Sequence, residues 1–350
     1  MKQKRKNVGI VTMIGPNYGN RLQNYAVYYT LNSLGYQAVT ITDKKRSYIK
    51  LLIKKFAWAF RSVISYKYRE ILQAWMFELF AERYISIKYE DTENNLFTHE
   101  TGGNYDFFVV GSDQVWNGIY GEVKVAWNNY LLAFAPPHKR HSFSPSIGIR
   151  YIPEELKEKF AKEVSLFVNL CIREESGTQL VKEYTGRSDV LTTIDPVLML
   201  DDKQWMKIAK KIKTPKTFVL EYFLGDKPNT DEVVAGEVDR VQLLNPNNKY
   251  YFTTPGQFVW LFYKAEMVCT DSFHACVFSI LFAKSVVVYK RKSSNFYSNL
   301  DMFSRIETLF SMFGVDINEH IGKPIKIDIE TRDKVLKEKR EELIKALKLP

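Results

Sequence analysis

Short apolar runs of strand length alternate with helix-length segments along this chain, and the alternation starts twice. That pattern is what a parallel sheet demands, because two parallel strands need a helix-length crossover between them. In the first series Val8 to Ile14, Ala38 to Ile41, Phe107 to Val110, Ser142 to Ile147, Leu170 to Arg173 and Leu191 to Ile194 read as strands. Between them Leu22 to Leu34, a basic region from Tyr48 to Tyr84, Pro153 to Val168 and Ser176 to Tyr184 read as helices. The second series has strands at Thr217 to Phe223, Tyr250 to Thr253, Met267 to Cys269 and Val286 to Tyr289, with helices at Trp205 to Lys211 and Phe258 to Lys264. The uncharged run Ser272 to Ala283 has the length of a buried core helix, and the charged tail Thr331 to Leu347 that of an amphipathic one.

At 350 residues the chain is longer than one core usually supports. The expected class is therefore α/β, with two Rossmann-like doubly wound domains facing across a cleft. Residues 1–200 form the first, with a basic helical insert at 44–84; residues 201–330 form the second; and 331–350 form a terminal helix packing back on the first. The join is expected from Asp195-Pro196 to about Lys203, where turn residues gather.

The 45% hydrophobic and 14% aromatic content excludes a disordered chain. No run approaches the roughly 18 apolar residues of a membrane span, and the apolar start up to Ile14 leads into a glycine turn, as a first strand would. Three cysteines, Cys171, Cys269 and Cys276, make an odd count without metal or redox spacing, so no disulfide is expected and a cytoplasmic location fits. Five scattered histidines and an isolated Asp201-Asp202 give no reason to expect a metal. The formal charge is +10, concentrated in Lys44 to Arg69, which holds nine Lys or Arg and no acid among aromatic and aliphatic residues. Three readings stand for that segment: contact with an anionic membrane surface, contact with nucleic acid, and a solvated face of core-packing helices.

Four strand-end turns carry chemistry-bearing side chains. Gly15-Pro16-Asn17-Tyr18-Gly19-Asn20-Arg21-Leu22-Gln23 combines glycines with side chains that bind sugars or anions. Gly111-Ser112-Asp113-Gln114-Val115-Trp116-Asn117 follows a buried strand and reads either as a helix cap or as a hydroxyl-binding turn. Arg173, at the end of another strand, suits two-pronged recognition of a carboxylate or phosphate, or a surface ion pair. Asp271-Ser272-Phe273-His274 puts an imidazole in the first turn of a helix at a strand's carboxyl end, where open α/β sheets bind ligands and free N–H groups attract anions. Asp271 reads there as a cap or a ligand, and His274 as structural or catalytic. Lys290 and Arg291, after the last long strand, add cations at the same sheet edge.

In order and spacing these turns resemble the polysaccharide pyruvyl transferase family. The resemblance rests on Asn17-Tyr18-Gly19-Asn20-Arg21-Leu22-Gln23-Asn24-Tyr25-Ala26, Gly111 to Asn117, Ser144-Pro145-Ser146-Ile147-Gly148, Arg173-Glu174-Glu175-Ser176, Asp195-Pro196-Val197-Leu198 and Thr270 to His274. It implies a glycosyltransferase-B-like fold and transfer of a pyruvyl group from phosphoenolpyruvate to two hydroxyls of one sugar, forming a cyclic ketal and releasing phosphate. His274 and Arg173 would then be catalytic. Asn17, Asn20, Arg21, Gln23, Ser112, Asp113, Gln114, Asp271, Ser272, Lys290 and Arg291 would bind substrate. No cofactor is implied beyond the donor itself. The acceptor would be a lipid-linked oligosaccharide met at the inner face of the cell membrane, which gives Lys44 to Arg69 an anionic lipid surface as partner. The chain departs from the family where Ala275 follows the histidine in place of the usual glycine, and where Ser272 stands at a position that is arginine in some members. A nucleotide-sugar glycosyltransferase of the same architecture is the nearest alternative, and a non-catalytic membrane- or nucleic-acid-binding module a more distant one.

Overall fold

The computed structural model of the protein describes residues 5–42, 66–94, 96–234, 236–245, 247–292 and 302–350. Most of the basic stretch Lys44 to Arg69 therefore lies outside the described residues. Among those described, no helix is long and apolar enough to cross a membrane.

The first sheet consists of β1 (Asn7–Val11), β2 (Gln37–Thr42), β3 (Ile87–Tyr89), β6 (Phe107–Val110) and β7 (Arg140–Ser142), in the spatial order β3-β2-β1-β6-β7 and parallel throughout. A two-strand hairpin, β4 (Thr92–Glu93) and β5 (Leu96–Phe97), precedes β6. The parallel pair β8 (Leu170–Ile172) and β9 (Val190–Thr192) extends the layer past β7. Val168 N–H donates to the Arg140 carbonyl (2.9 Å) and Arg173 N–H to that of Pro145 (3.1 Å). Between these, the Asn169 side chain bonds Ser142 N–H and C=O (3.1 and 2.8 Å), standing in for a ladder rung.

The second sheet comprises β10 (Val219–Tyr222), β11 (Arg240–Gln242), β12 (Met267–Thr270), β13 (Ser285–Val288) and β14 (Pro324–Ile325). Its order is β11-β10-β12-β13-β14, with only the last strand antiparallel. Each sheet thus reverses its winding once, between β1 and β6 in the first and between β10 and β12 in the second. Such reversals leave a crevice beyond the carboxyl ends of the flanking strands.

The two lobes are joined by packed aromatic side chains. Tyr18, at the start of the helix Tyr18–Ser33, stacks on Phe258 of the helix Pro255–Lys264 with ring centroids 4.3 Å apart, and its hydroxyl donates to the Thr253 carbonyl (2.7 Å). Tyr25, about two turns further along the same helix, packs on Trp205. One apolar core therefore runs from Val8 and Leu22 through Phe258 and Phe278 to Leu336 and Leu343. A second core fills the other face of the first sheet. The terminal helix Ile329–Ala346 lies against the amino-terminal lobe: Arg340 donates to the carbonyls of Leu198 and Leu200 (2.6 and 3.0 Å), and the Leu347 carbonyl faces the His141 ring.

Four local expectations need correction. The predicted helix Trp205 to Lys211 lies earlier, at Asp202–Met206, where the Asp201 side chain accepts from Gln204 N–H and caps its start. The first helix begins at Tyr18, not Leu22, because the Asn17 side chain accepts from Gly19 N–H (2.8 Å) and caps it. Tyr250 to Thr253, aromatic and β-branched enough to read as a strand, lies in a 3₁₀ turn, Lys249–Phe252, capped by the Asn248 side chain. The strand that fills that place is Arg240–Gln242, too short to stand out by pattern. The predicted strand Ser142 to Ile147 stops at Ser142, since Ser144 takes a left-handed backbone (φ 54°) that turns the chain back.

Candidate active site

The turns after β1, β6, β10, β12 and β13 converge where the two crevices face each other. They enclose a cavity of about 200 Å³ lined by Asn17 and Asn20, Asp113 and Gln114, Tyr120, Ser272 to His274, Arg291 and Arg305, with Met13 and Leu224 at its edges. The lining is mainly polar side chains from both lobes, as a small charged ligand would need.

Asp113 sits at φ 75°, a left-handed conformation that aspartate tolerates better than most residues. One carboxylate oxygen accepts from Gln114 N–H (2.8 Å) and the other from the Asn20 amide, so the β1 and β6 turns are tied together. Burial alone raises the Asp113 pKa, but His274, Arg173, Arg305 and the Gln114 amide outweigh it and hold the carboxyl below its usual range.

His274 stands in the first turn of the helix Phe273–Leu281, whose residues are all buried. Its ring rests on Gly19 of the opposite lobe so closely that a Cβ there would overlap it. Among the described residues Nε2 has no hydrogen-bond partner, and it lies 3.7 Å from Asp195 Oδ2. Burial pushes the imidazole below the ordinary histidine range, against the opposite pull of Asp195 and Asp113. It is therefore neutral at neutral pH, and an anion arriving beside it would raise its proton affinity.

Arg173 does not line the cavity; it lies directly behind it. Nη1 donates to Asp195 (2.8 Å) and to Ser112 Oγ (3.2 Å), Nη2 is 3.7 Å from Asp113, and the guanidinium sits 4.5 Å from the Phe273 ring centroid. Arg173 and His274 consequently meet at one carboxylate, that of Asp195, whose side chain is fully buried. Glu174, next in sequence, accepts from Ser146 Oγ and from the backbone N–H groups of Ile147 and Gly148 (3.0, 2.8 and 2.8 Å), which fixes the turn carrying Gln114's neighbour Gly148. A Cβ on Gly148, at φ 72°, would overlap the Gln114 side chain.

Of the residues singled out in the sequence, Asn17, Asn20, Asp113, Gln114, Ser272, His274 and Arg291 reach the cavity. Ser112 supports Arg173 and Asp195 from behind. Four others are engaged elsewhere. Arg21 pairs with Glu78 on the helix Tyr66–Tyr84, and the Gln23 amide donates to Thr12 Oγ1 and the Asn20 carbonyl. Asp271 accepts from the N–H groups of Leu224 and Gly225 (2.8 Å each) and from Arg291 Nε (3.2 Å), so it fixes the β10 turn instead of facing the cavity. Lys290 lies over the Phe303 ring. Two residues of the site were not singled out as site residues in the sequence: Asp195, read as the inter-lobe join and as part of the motif Asp195-Pro196-Val197-Leu198, and Arg305, on the helix Ser304–Ser311. No motif surrounds Arg305; its only sequence signal is a lone cation opening a short amphipathic stretch.

Among curated proteins none matches the chain. Similar solved structures include a glycosyltransferase from Rickettsia africae, with 10% identity over 99% of this chain and 100% of that one and a TM-score of 0.48. A UDP-GlcNAc 2-epimerase from Neisseria meningitidis, bound to UDP-GlcNAc, shows 12% identity over 97% and 100% of the two chains with a TM-score of 0.42. An uncharacterised protein from Klebsiella pneumoniae shows 13% identity over 91% of each chain with a TM-score of 0.46. Likenesses this distant transfer no substrate. The family model described as polysaccharide pyruvyl transferase matches residues 17–293, which contain every strand-end turn of the site from Asn17 to Arg291. On that match over most of its length, the chain belongs to the polysaccharide pyruvyl transferase family.

Proposed function

We propose that the protein transfers the pyruvyl group of phosphoenolpyruvate to two hydroxyls of one sugar in a lipid-linked saccharide, forming a cyclic ketal. The observation that carries this reading is a cavity shared by two lobes in which the His274 imidazole stands with the guanidinium groups of Arg291 and Arg305. A donor with a carboxylate and a phosphate needs such cations, and its enol carbon needs an acid.

The donor's negative charge raises the proton affinity of His274; in the first step the protonated ring gives its proton to the methylene carbon, and a sugar hydroxyl adds to the neighbouring carbon, forming one C–O bond. The hydroxyl's proton returns to the imidazole. The bond from that carbon to the phosphate oxygen then breaks and phosphate leaves. The second hydroxyl adds to the same carbon and gives its proton to the departing phosphate, closing the ring. The balance is donor plus diol giving ketal plus inorganic phosphate, with no oxidant or reductant. Asp195 faces the imidazole and stabilises its protonated form. Asn20, Asp113 and Gln114 offer acceptor oxygens and amide donors to the sugar hydroxyls from the opposite lobe.

The test is mass spectrometry of candidate saccharides, each offered free and lipid-linked, after incubation with phosphoenolpyruvate. The expected result is the ketal mass gain on the lipid-linked form with release of one phosphate per ketal. Transfer of a whole sugar from a nucleotide sugar, with no reaction from phosphoenolpyruvate, would instead identify a glycosyltransferase of the same architecture.

A further inference from the structure

Two guanidinium groups, Arg291 and Arg305, line the cavity and a third, Arg173, lies behind it, and the three are not in the same electrostatic state. Arg173 is ion-paired with Asp195 at 2.8 Å and near Asp113 at 3.7 Å. Arg291 is paired with Asp271 at 3.2 Å and donates to the carbonyl of the same residue. Arg305 is only 6% exposed, yet among the described residues no carboxylate lies within ion-pair distance of it. Its one hydrogen bond there is a long one, Nε to the Met302 carbonyl at 3.4 Å. Its guanidinium sits 5.6 Å from the centroid of the Phe273 ring, the ring that Arg173 also covers. Burial first, and then the like charge of Arg173, depress its pKa to about 10. A buried cation without an ion pair is costly, and in a cavity wall the lack of one among the described residues marks where an anion is to arrive.

We propose that Arg305, and not Arg173, is the principal anchor for the donor's anionic groups in this chain. Arg173 then serves as a positioning residue that holds Asp195 beneath His274. Because Phe273 carries both guanidinium groups and is followed directly by the imidazole, an anion seated on Arg305 lies beside His274. This also accounts for Ser272, which stands where some relatives carry arginine: here the cation comes from a helix outside the matched residues 17–293.

The inference rests on the functional reading above, and the experiment separates the two. Binding of phosphoenolpyruvate, and separately of inorganic phosphate, is measured by calorimetry for the wild type, Arg305→Gln and Arg305→Lys, with the melting temperature of each ligand-free protein. For Arg305→Gln the expected result is a Kd for phosphoenolpyruvate raised about 30-fold or more, with a ligand-free melting temperature equal to or above that of the wild type. Arg305→Lys, which keeps the charge but loses the fork, falls between. Wild-type affinity in Arg305→Gln, to within about threefold, would overturn the assignment. So would lower ligand-free stability in both variants, since that is what a structural arginine predicts. Arg305-dependent binding of inorganic phosphate without binding of phosphoenolpyruvate would uphold an anion site and overturn the functional reading.

Discussion

Replacing His274 with glutamine lowers kcat by about 10²–10⁴-fold, the usual contribution of a positioned acid, while donor affinity changes far less. Burial lowers the proton affinity of the ring and outweighs the pull of Asp195 and Asp113. Donor binding brings negative charge beside it and restores its proton, so binding takes up a proton near neutral pH. Calorimetry in buffers of different ionisation enthalpy reads that uptake, and it disappears in His274→Gln. The sign on stability follows from the same depressed pKa. An unfolded histidine binds its proton at about 6.5, before the folded one does, so the native protein loses stability as pH falls through that window. His274→Gln flattens this acid limb. Gly19→Ala reaches the same imidazole from the other lobe, since the added methyl overlaps the ring; kcat should fall in parallel with no titratable group removed. Full activity in either variant would take His274 out of the reaction.

The second large effect is on folding. Arg173→Ala leaves the Asp195 carboxylate, wholly buried, without its cation. Stranding one member of such a pair costs about 3–5 kcal/mol, a substantial part of the roughly 5–15 kcal/mol that holds a typical domain folded. Denaturant titration should show that loss together with loss of turnover. Removing both charges, as Arg173→Met with Asp195→Leu, should cost clearly less than the two single changes added together, while activity stays lost because His274 no longer faces a carboxylate. Additive single effects would mean the pair does not act as a unit.

Much of the architecture was legible because strand and helix periods are local. β6, Phe107–Val110, and the buried helix Phe273–Leu281 are apolar runs of the right length, bounded by polar turns. The site was legible where backbone geometry forces function to the strand ends, hence Asn17, Asp113 and His274. It was illegible where side-chain direction decides. Once the first helix begins at Tyr18, successive residues turn by about 100°, so Asn20 faces the cavity while Arg21 faces Glu78. Asp271 shows the same limit in a turn: its neighbours Ser272 and His274 reach the cavity, whereas its own oxygens are taken by two backbone amides. Arg305 lay beyond reach for another reason, and Asp195 was visible as a motif residue but not as the partner of Arg173 and His274. Those placements arise from a charge balance among residues far apart in sequence, which no local pattern encodes.

The central claim is that one cavity between the two lobes seats the donor against both His274 and Arg305. The measurement that tests it most directly is a crystal structure of the protein with phosphoenolpyruvate bound. The account predicts the donor's anionic groups on the Arg305 guanidinium, with its methylene carbon against the His274 ring. Donor bound at any other place, with this cavity empty, would contradict it.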